Sequence, residues 1–107
     1  MVALKREDNS PILRPQIALG KAWGTLALGI GCRDIAKRAA AAPAFIGAVS
    51  DMSGGKVVPV PGGVLIKDGT GTILGAVGVT GDLSENDEAC AIAGIQKVGL
   101  MADAGSG

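Results

Sequence analysis

The stretch VVPVPGGVLIKDGTGTILGAVGVTGDLSEND, residues 57–87, predicts most of the fold. Two apolar runs, residues 63–67 and 73–80, flank a turn of sequence DGTG. Apolar runs joined by a short turn that contains glycine are typical of a β-hairpin. Because these glycines lie between two strands, they do not match a dinucleotide-binding loop, which joins a strand to a helix. The second run is apolar or small on both faces, so we expect a central strand.

One short strand and three helices are predicted before the hairpin. Residues 2–6 form a short strand that ends in a charged turn. Residues 13–28 have apolar side chains at helical spacing and a proline in the first turn, where its missing N–H needs no helical partner. Residues 32–42 and 44–51 predict two shorter helices, which Pro43 separates.

The remaining segments complete an α+β domain. Residues 56–61 are extended and contain two prolines, which predicts an edge strand or a strap across the end of the sheet. A helix follows the hairpin and reaches about residue 100. We therefore expect an antiparallel sheet with helices packed on it, in a single domain of residues 1–101. Residues 102–107 are predicted to be a flexible tail.

Composition excludes several classes of function. Ten basic and ten acidic residues give a net charge of zero, and Trp23 and Phe45 are the only aromatic residues. A basic stripe with a stacking platform for nucleic acid is therefore not expected. No segment approaches the roughly 20 apolar residues that cross a bilayer, and the opening residues are too charged for a signal peptide. We expect a cytoplasmic protein with reduced thiols at Cys32 and Cys90, with a disulfide as the alternative.

The chain contains no histidine, which limits its chemistry. Histidine-containing dyads and triads and histidine-ligated metals are excluded, and no metal site is predicted. The core must consist of Val, Ile, Leu and Ala packed around 18 glycines. Each small side chain adds little, at about 0.8 kcal/mol per buried methylene. We therefore expect the domain to be completed by association into a homo-oligomer.

Three stretches together resemble the GlcG/HbpS family of small α+β proteins. They are RPQIALGKAWGTLALG, PVPGGVLI and LGAVGVTGDLSENDEACAIAGI, at residues 14–29, 59–66 and 74–95. The family also occurs as the C-terminal domain of some PduO-type corrinoid adenosyltransferases. The resemblance covers residues 2 to about 100 and implies this fold without its first helix and strand. The chain is then a shortened form, or another subunit supplies that strand.

The resemblance also implies a ligand, because some relatives bind or degrade haem. Since this chain has no histidine, a bound haem iron would need Lys21, a methionine, a cysteine or an oxygen ligand. Corrinoid binding is implied by analogy with the fusion proteins.

A ligand site is expected where the second hairpin strand meets the last helix. Backbone N–H groups at a helix N-terminus attract anions, and Thr80 and Gly81 precede that terminus. Lys21, the only charge in the middle of the first helix, is either a cation of this pocket or a surface lysine. Asp87 either lines the pocket or forms a capping box with Ser84. The candidate ligand-binding residues are Lys21, Gly62, Gly63, Thr80, Gly81 and Asp87.

Three functions of different classes fit these features. The first is an accessory protein that binds a small molecule or a tetrapyrrole. The second is a proton-transfer enzyme with Lys21 and Asp87 as acid and base, whose pKa values burial would have to shift. The third is a structural oligomerisation domain.

Overall fold

A three-stranded antiparallel sheet carries the helices in the computed structural model, which describes residues 1–106. The elements in chain order are α1 (Arg14–Leu28), α2 (Cys32–Ala41), α3 (Pro43–Met52), β1 (Gly63–Lys67), β2 (Ile73–Gly78), α4 (Ser84–Lys97) and β3 (Met101–Asp103). The strand order is β2–β1–β3, and β1 is antiparallel to both neighbours. The predicted α+β class is confirmed. Among the helices of this described part, none is long and apolar enough to cross a membrane.

The hairpin of β1 and β2 forms where the sequence predicts it. Gly63 pairs with Gly78 at its open end. In the turn, the Asp68 carboxylate accepts hydrogen bonds from the backbone N–H groups of Thr70 and Thr72, at 2.9 and 3.0 Å. Aspartate side chains commonly fix turns by accepting such bonds from backbone two residues on. The DGTG sequence therefore determines where the chain reverses.

The central strand is β1, and the prediction that the second hairpin strand is central is wrong. β3 takes the second edge of β1 and leaves β2 at the edge of the sheet. Val64 and Leu65 of β1 are fully buried, whereas Ile73 and Leu74 of β2 are 43% and 56% exposed. Because β2 lies at the edge of the sheet, the apolar side chains at its start do not indicate burial.

Helices cover both faces of β1. Val64 packs against Ala91 and Ile95 of α4. On the other face, a Cβ atom at Gly63 would lie 2.4 Å from the backbone oxygen of Lys21, so α1 approaches β1 in backbone contact. Successive strand residues point to opposite faces, which places the sheet between α1 and α4.

A second apolar cluster holds α2 and α3 against residues 56–61. It contains Cys32, Ile35, Ile46 and Val57, all of them buried. Residues 56–61 form no strand, so the edge-strand alternative is wrong, and we call this segment the strap. The strap passes close to α1, where a Cβ at Gly20 would lie 2.7 Å from the Val58 side chain.

Both ends of the chain differ from the prediction. Residues 2–6 form no strand and are exposed, because they pair with none of the described strands and their backbone is left to solvent. Ala102 and Asp103, which were expected in a flexible tail, belong to β3. A salt bridge of 2.6 Å from Lys67 to Asp103 holds that strand on β1. Gly107 lies outside the described residues.

The predicted capping box of α4 is also wrong. The N-cap residue is Leu83, and no side chain caps the helix. The Asp87 carboxylate instead accepts a hydrogen bond of 3.0 Å from the backbone N–H of Asp82. Asp87 therefore fixes the loop that leads into α4, and this loop borders the site described below.

Candidate functional site

A cleft of about 600 Å³ lies between the N-terminal segment, the start of α1 and the end of β2. It is lined by residues 3–11, by Arg14, Pro15 and Ala18, and by residues 78–81. Protein sites for small organic ligands usually have volumes of roughly 300–1,000 Å³. The cleft is therefore large enough for such a ligand.

Arg14 is a cation of this cleft that lacks an acidic partner. Its Nη1 lies 3.5 Å from the Thr80 hydroxyl oxygen across the cleft, and no salt bridge to it occurs among residues 1–106. Lys5, another cation of the lining, has Glu7 at 3.6 Å. A guanidinium presents five donors in a planar fork that matches a carboxylate. Arg14 is therefore available to an anionic group of a ligand.

Lys21 and Asp87 form a buried ion pair behind the β2 wall of the cleft. The two side chains are 2% and 5% exposed, and Nζ lies 3.3 Å from Oδ2. Lys21 Nζ also donates a hydrogen bond of 2.9 Å to the backbone oxygen of Val79. With the bond from Asp82 to Asp87, the pair ties α1, residues 79–82 and α4 together. It therefore holds the loop that forms one wall of the cleft.

Gly62 and Gly63 give this arrangement its room. Gly62 has a φ of +130°, which side chains rarely tolerate, and its Cβ would lie 2.7 Å from Lys21 Nζ. A Cβ at Gly63 would lie 2.4 Å from both Thr25 Oγ1 and Cys32 Sγ. Both positions need glycine, because a side chain at either one would collide with residues that pack behind the cleft wall.

The structure divides the six residues expected at the ligand site into two groups. Thr80 and Gly81 line the cleft. Lys21, Gly62 and Asp87 meet behind it. Gly63 faces α1 instead. Lys21 is buried and is not a surface lysine. A direct ligand contact stays a prediction for all six, and the geometry favours it at Thr80 and Gly81.

Sequence reasoning missed Arg14 and the N-terminal side of the cleft. Arg14 is the first residue of α1, and the first turn of that helix contains no acidic residue. The helix dipole disfavours a cation at this end, so a cation there is unexpected on stability grounds. That position was a usable signal that Arg14 is a candidate site residue.

The cysteines lie away from the cleft lining and are both free, so the disulfide alternative is wrong. Cys32 is fully buried, and its Sγ lies 3.3 Å from Thr25 Oγ1. Burial raises the pKa of the Cys32 thiol and keeps it protonated, which makes it a poor nucleophile or ligand. Cys90 is exposed on α4. Residues 1–106 contain no cluster of His, Cys, Asp and Glu that could hold a metal ion.

Comparison with known proteins gives one family and one similar structure. The family described as "Haem degrading protein HbpS-like" matches residues 1–96. A solved structure described as "Crystal Structure of PduOC:Heme Complex" matches 90% of this chain and 68% of its own, with a TM-score of 0.77 and 22% identity. That likeness supports the fold. A search of curated proteins gave no match.

Proposed function

This chain belongs to the HbpS-like family, and we propose that it binds a haem-type tetrapyrrole in the cleft between the N-terminal segment and the end of β2. The description of the family names haem degradation, and the similar structure is described as a haem complex. The geometry supports the binding part of such a function.

The shape and lining of the cleft support this proposal. Its volume of about 600 Å³ suits a ligand much larger than a simple metabolite. Apolar side chains of Leu4, Pro11, Pro15 and Val79 contribute to the walls. Tetrapyrroles are wide apolar rings with carboxylates at one edge, so they require an apolar slot with cations at its rim.

Arg14 is the single observation that carries the proposal. Arg14 is half-buried at the cleft, and among residues 1–106 its side chain hydrogen-bonds only to the neutral hydroxyl of Thr80. A ring propionate can accept two parallel hydrogen bonds from a guanidinium, which is the strong geometry for such pairs. Arg6, also in the lining, donates to the backbone oxygen of Ser10 and leaves further donors for a second propionate.

The cleft fits the ring and the carboxylates of haem, but it does not fit the iron. Proteins usually ligate haem iron with His, Cys, Met or Tyr. None of these residue types lines the cleft. Lys21, the nitrogen ligand considered from the sequence, is buried in its ion pair. No reaction at the metal follows from these residues.

The other two functions stay predictions. A proton-transfer reaction would need Lys21 and Asp87 at the cleft, but both are buried behind its wall and bonded to each other. A homo-oligomer and a cytoplasmic location are likewise still to be tested.

A titration with haemin tests the proposed function. We expect a saturable change of the Soret band that reaches its end at one haemin per chain. Arg14→Ala should weaken binding about tenfold or more, because a charge-assisted bidentate pair is lost. Arg38→Ala removes an equal charge from the exposed end of α2 and should leave the affinity unchanged. No saturable change with the unaltered protein would contradict the proposal.

A further inference from the structure

We infer that the cleft recognises its tetrapyrrole by the carboxylates and the faces of the ring, and not by the central metal. This inference rests on the proposed function and specifies the ligand class further. It implies that metal-free protoporphyrin IX binds about as tightly as haemin.

The usual haem ligands are absent from the chain or lie outside the cleft lining. The sequence contains neither histidine nor tyrosine. Cys32 is fully buried between α1 and the strap, with Sγ near Thr25 and the backbone oxygens of Lys21 and Val58. Cys90 and all three methionines lie outside the cleft lining. A soft or imidazole ligand to iron is therefore not in place.

The amines near the cleft are also unsuitable. Lys21 uses its ammonium group for Asp87 and the Val79 carbonyl, and moving it to a metal would leave the Asp87 charge buried and unpaired. Lys5 lines the cleft, but its ammonium pairs with Glu7. A protonated amine has no lone pair to offer a metal.

The remaining oxygen donors of the lining are the neutral groups of Asn9, Ser10 and Thr80 and the carboxylates of Glu7 and Asp8. The two carboxylates are the anionic candidates. Both belong to the exposed N-terminal segment, and Glu7 already faces Lys5. Carboxylate oxygens suit Mg, Ca and Mn better than haem iron. Ligation of the metal by these residues therefore adds little to the binding energy compared with contacts to the ring.

For the ring edge, in contrast, the cleft offers a cation at the start of α1 and a wall after β2. Arg14 is the first residue of α1, and Thr80 lies opposite at the end of β2. The backbone behind Thr80 is held by the bond from Lys21 Nζ to Val79 and by the bond from Asp82 to Asp87. A cation and a wall that are preorganised in this way favour carboxylate recognition, because less ordering is needed on binding.

The test compares three ligands on the same protein. Haemin, protoporphyrin IX and the dimethyl ester of protoporphyrin IX are titrated, with absorbance and porphyrin fluorescence as readouts. We expect haemin to bind no more than about threefold tighter than protoporphyrin IX. The dimethyl ester should bind about tenfold or more weakly than the free acid, because it cannot accept a charge-assisted pair from Arg14.

Each outcome separates the inference from the proposed function. If haemin binds more than about threefold tighter than protoporphyrin IX, the metal is recognised and the inference is wrong, although the proposed function stands. If neither free acid binds, the proposed function itself fails. If the ester binds as well as the free acid, carboxylate recognition is wrong.

Variants locate the recognition in the cleft. Arg14→Ala should weaken haemin and protoporphyrin IX by the same factor, since it removes a partner that both share. A double substitution, Glu7→Gln with Asp8→Asn, should leave the ratio of the two affinities unchanged. If it weakens haemin alone, these carboxylates ligate the metal and the inference is overturned.

Discussion

At the scale of single residues, the buried pair of Lys21 and Asp87 holds one wall of the cleft in position. Both side chains are almost fully buried, and between them they bond to the backbone at Val79 and Asp82. A buried ion pair is not in itself a strong source of stability, because desolvation opposes the attraction of the charges. Removing one partner is costly, however, because the other charge stays buried alone.

Lys21→Met should therefore lower the free energy of unfolding by about 3–5 kcal/mol, measured by urea denaturation. The double variant Lys21→Met with Asp87→Leu should recover much of this loss, because neither charge is then left unpaired. Lys97→Met, at the exposed end of α4, is the matched control and should cost less than about 1 kcal/mol. A loss as small as that of the control would show that the pair is not buried in solution.

At the scale of elements, close contact between α1 and the sheet positions the cleft. A Cβ at Gly78 would lie 2.0 Å from the backbone oxygen of Ala18, so only glycine permits this approach of β2 to α1. Gly75 lies in the same strand with open space around it. The two glycines form a natural pair for comparison.

Gly78→Ala should lower the free energy of unfolding by about 2 kcal/mol or more, because a backbone atom must move. Gly75→Ala should be neutral or stabilising by about 0.5 kcal/mol, since glycine weakens a strand. Chemical denaturation of both variants measures this difference. Equal effects would contradict the close packing of α1 on β2.

The ion pair of Lys67 and Asp103 adds to the backbone pairing that holds β3 on β1, and this gives the attachment of β3 a pH dependence. The hydrogen bond from Lys67 holds the pKa of Asp103 below its usual value. A carboxylate whose pKa is depressed on folding stabilises the protein above its unfolded pKa, at about 3.9, and this stabilisation is lost as the pH falls through the folded value.

Asp103→Asn should therefore make the thermal midpoint fall less steeply as the pH is lowered below about 5. Asp51→Asn replaces an exposed carboxylate of α3 that makes no hydrogen bond among the described residues. This control should leave the pH dependence of the thermal midpoint unchanged. If both variants lose stability on acidification as the parent protein does, Asp103 does not contribute to the loss of stability at acid pH.

At the scale of the whole molecule, the sequence predicts local elements better than their arrangement. The hairpin and the helices follow from local signals such as the DGTG turn, Pro15 and Pro43. The position of β3 depends on pairing over a distance of more than thirty residues with β1, as from Leu65 to Asp103, which no local pattern reveals. For this reason the sequence placed the wrong strand at the centre of the sheet.

The candidate site was predicted only in part, for a similar reason. Thr80 and Gly81 were expected from the strand-to-helix junction, and they do line the cleft. Lys21 and Asp87 do meet as an ion pair, but behind the cleft wall. Arg14 and residues 3–11 complete the cleft through tertiary packing that the sequence does not show.

Self-association stays a prediction at this scale. β2 is an edge strand, and Ile73, Leu74 and Met101 are about half exposed. Unpaired strand edges with apolar side chains favour pairing with another chain. Sedimentation velocity over a range of concentrations should detect an oligomer, and Leu74→Lys should shift it towards monomer. A monomer at all concentrations would contradict this prediction.

The most direct test of the central claim is to locate the bound ring by amide chemical-shift mapping in solution, with diamagnetic zinc protoporphyrin IX as the ligand. The proposed binding of the ring in the cleft predicts the largest shifts at residues 78–81 and at the start of α1, including Arg14. Residues of α3 near Met52 and the side chain of Trp23 lie on a separate shallow groove and should shift little. Shifts concentrated at that groove or along α4, with none at residues 78–81, would contradict the account.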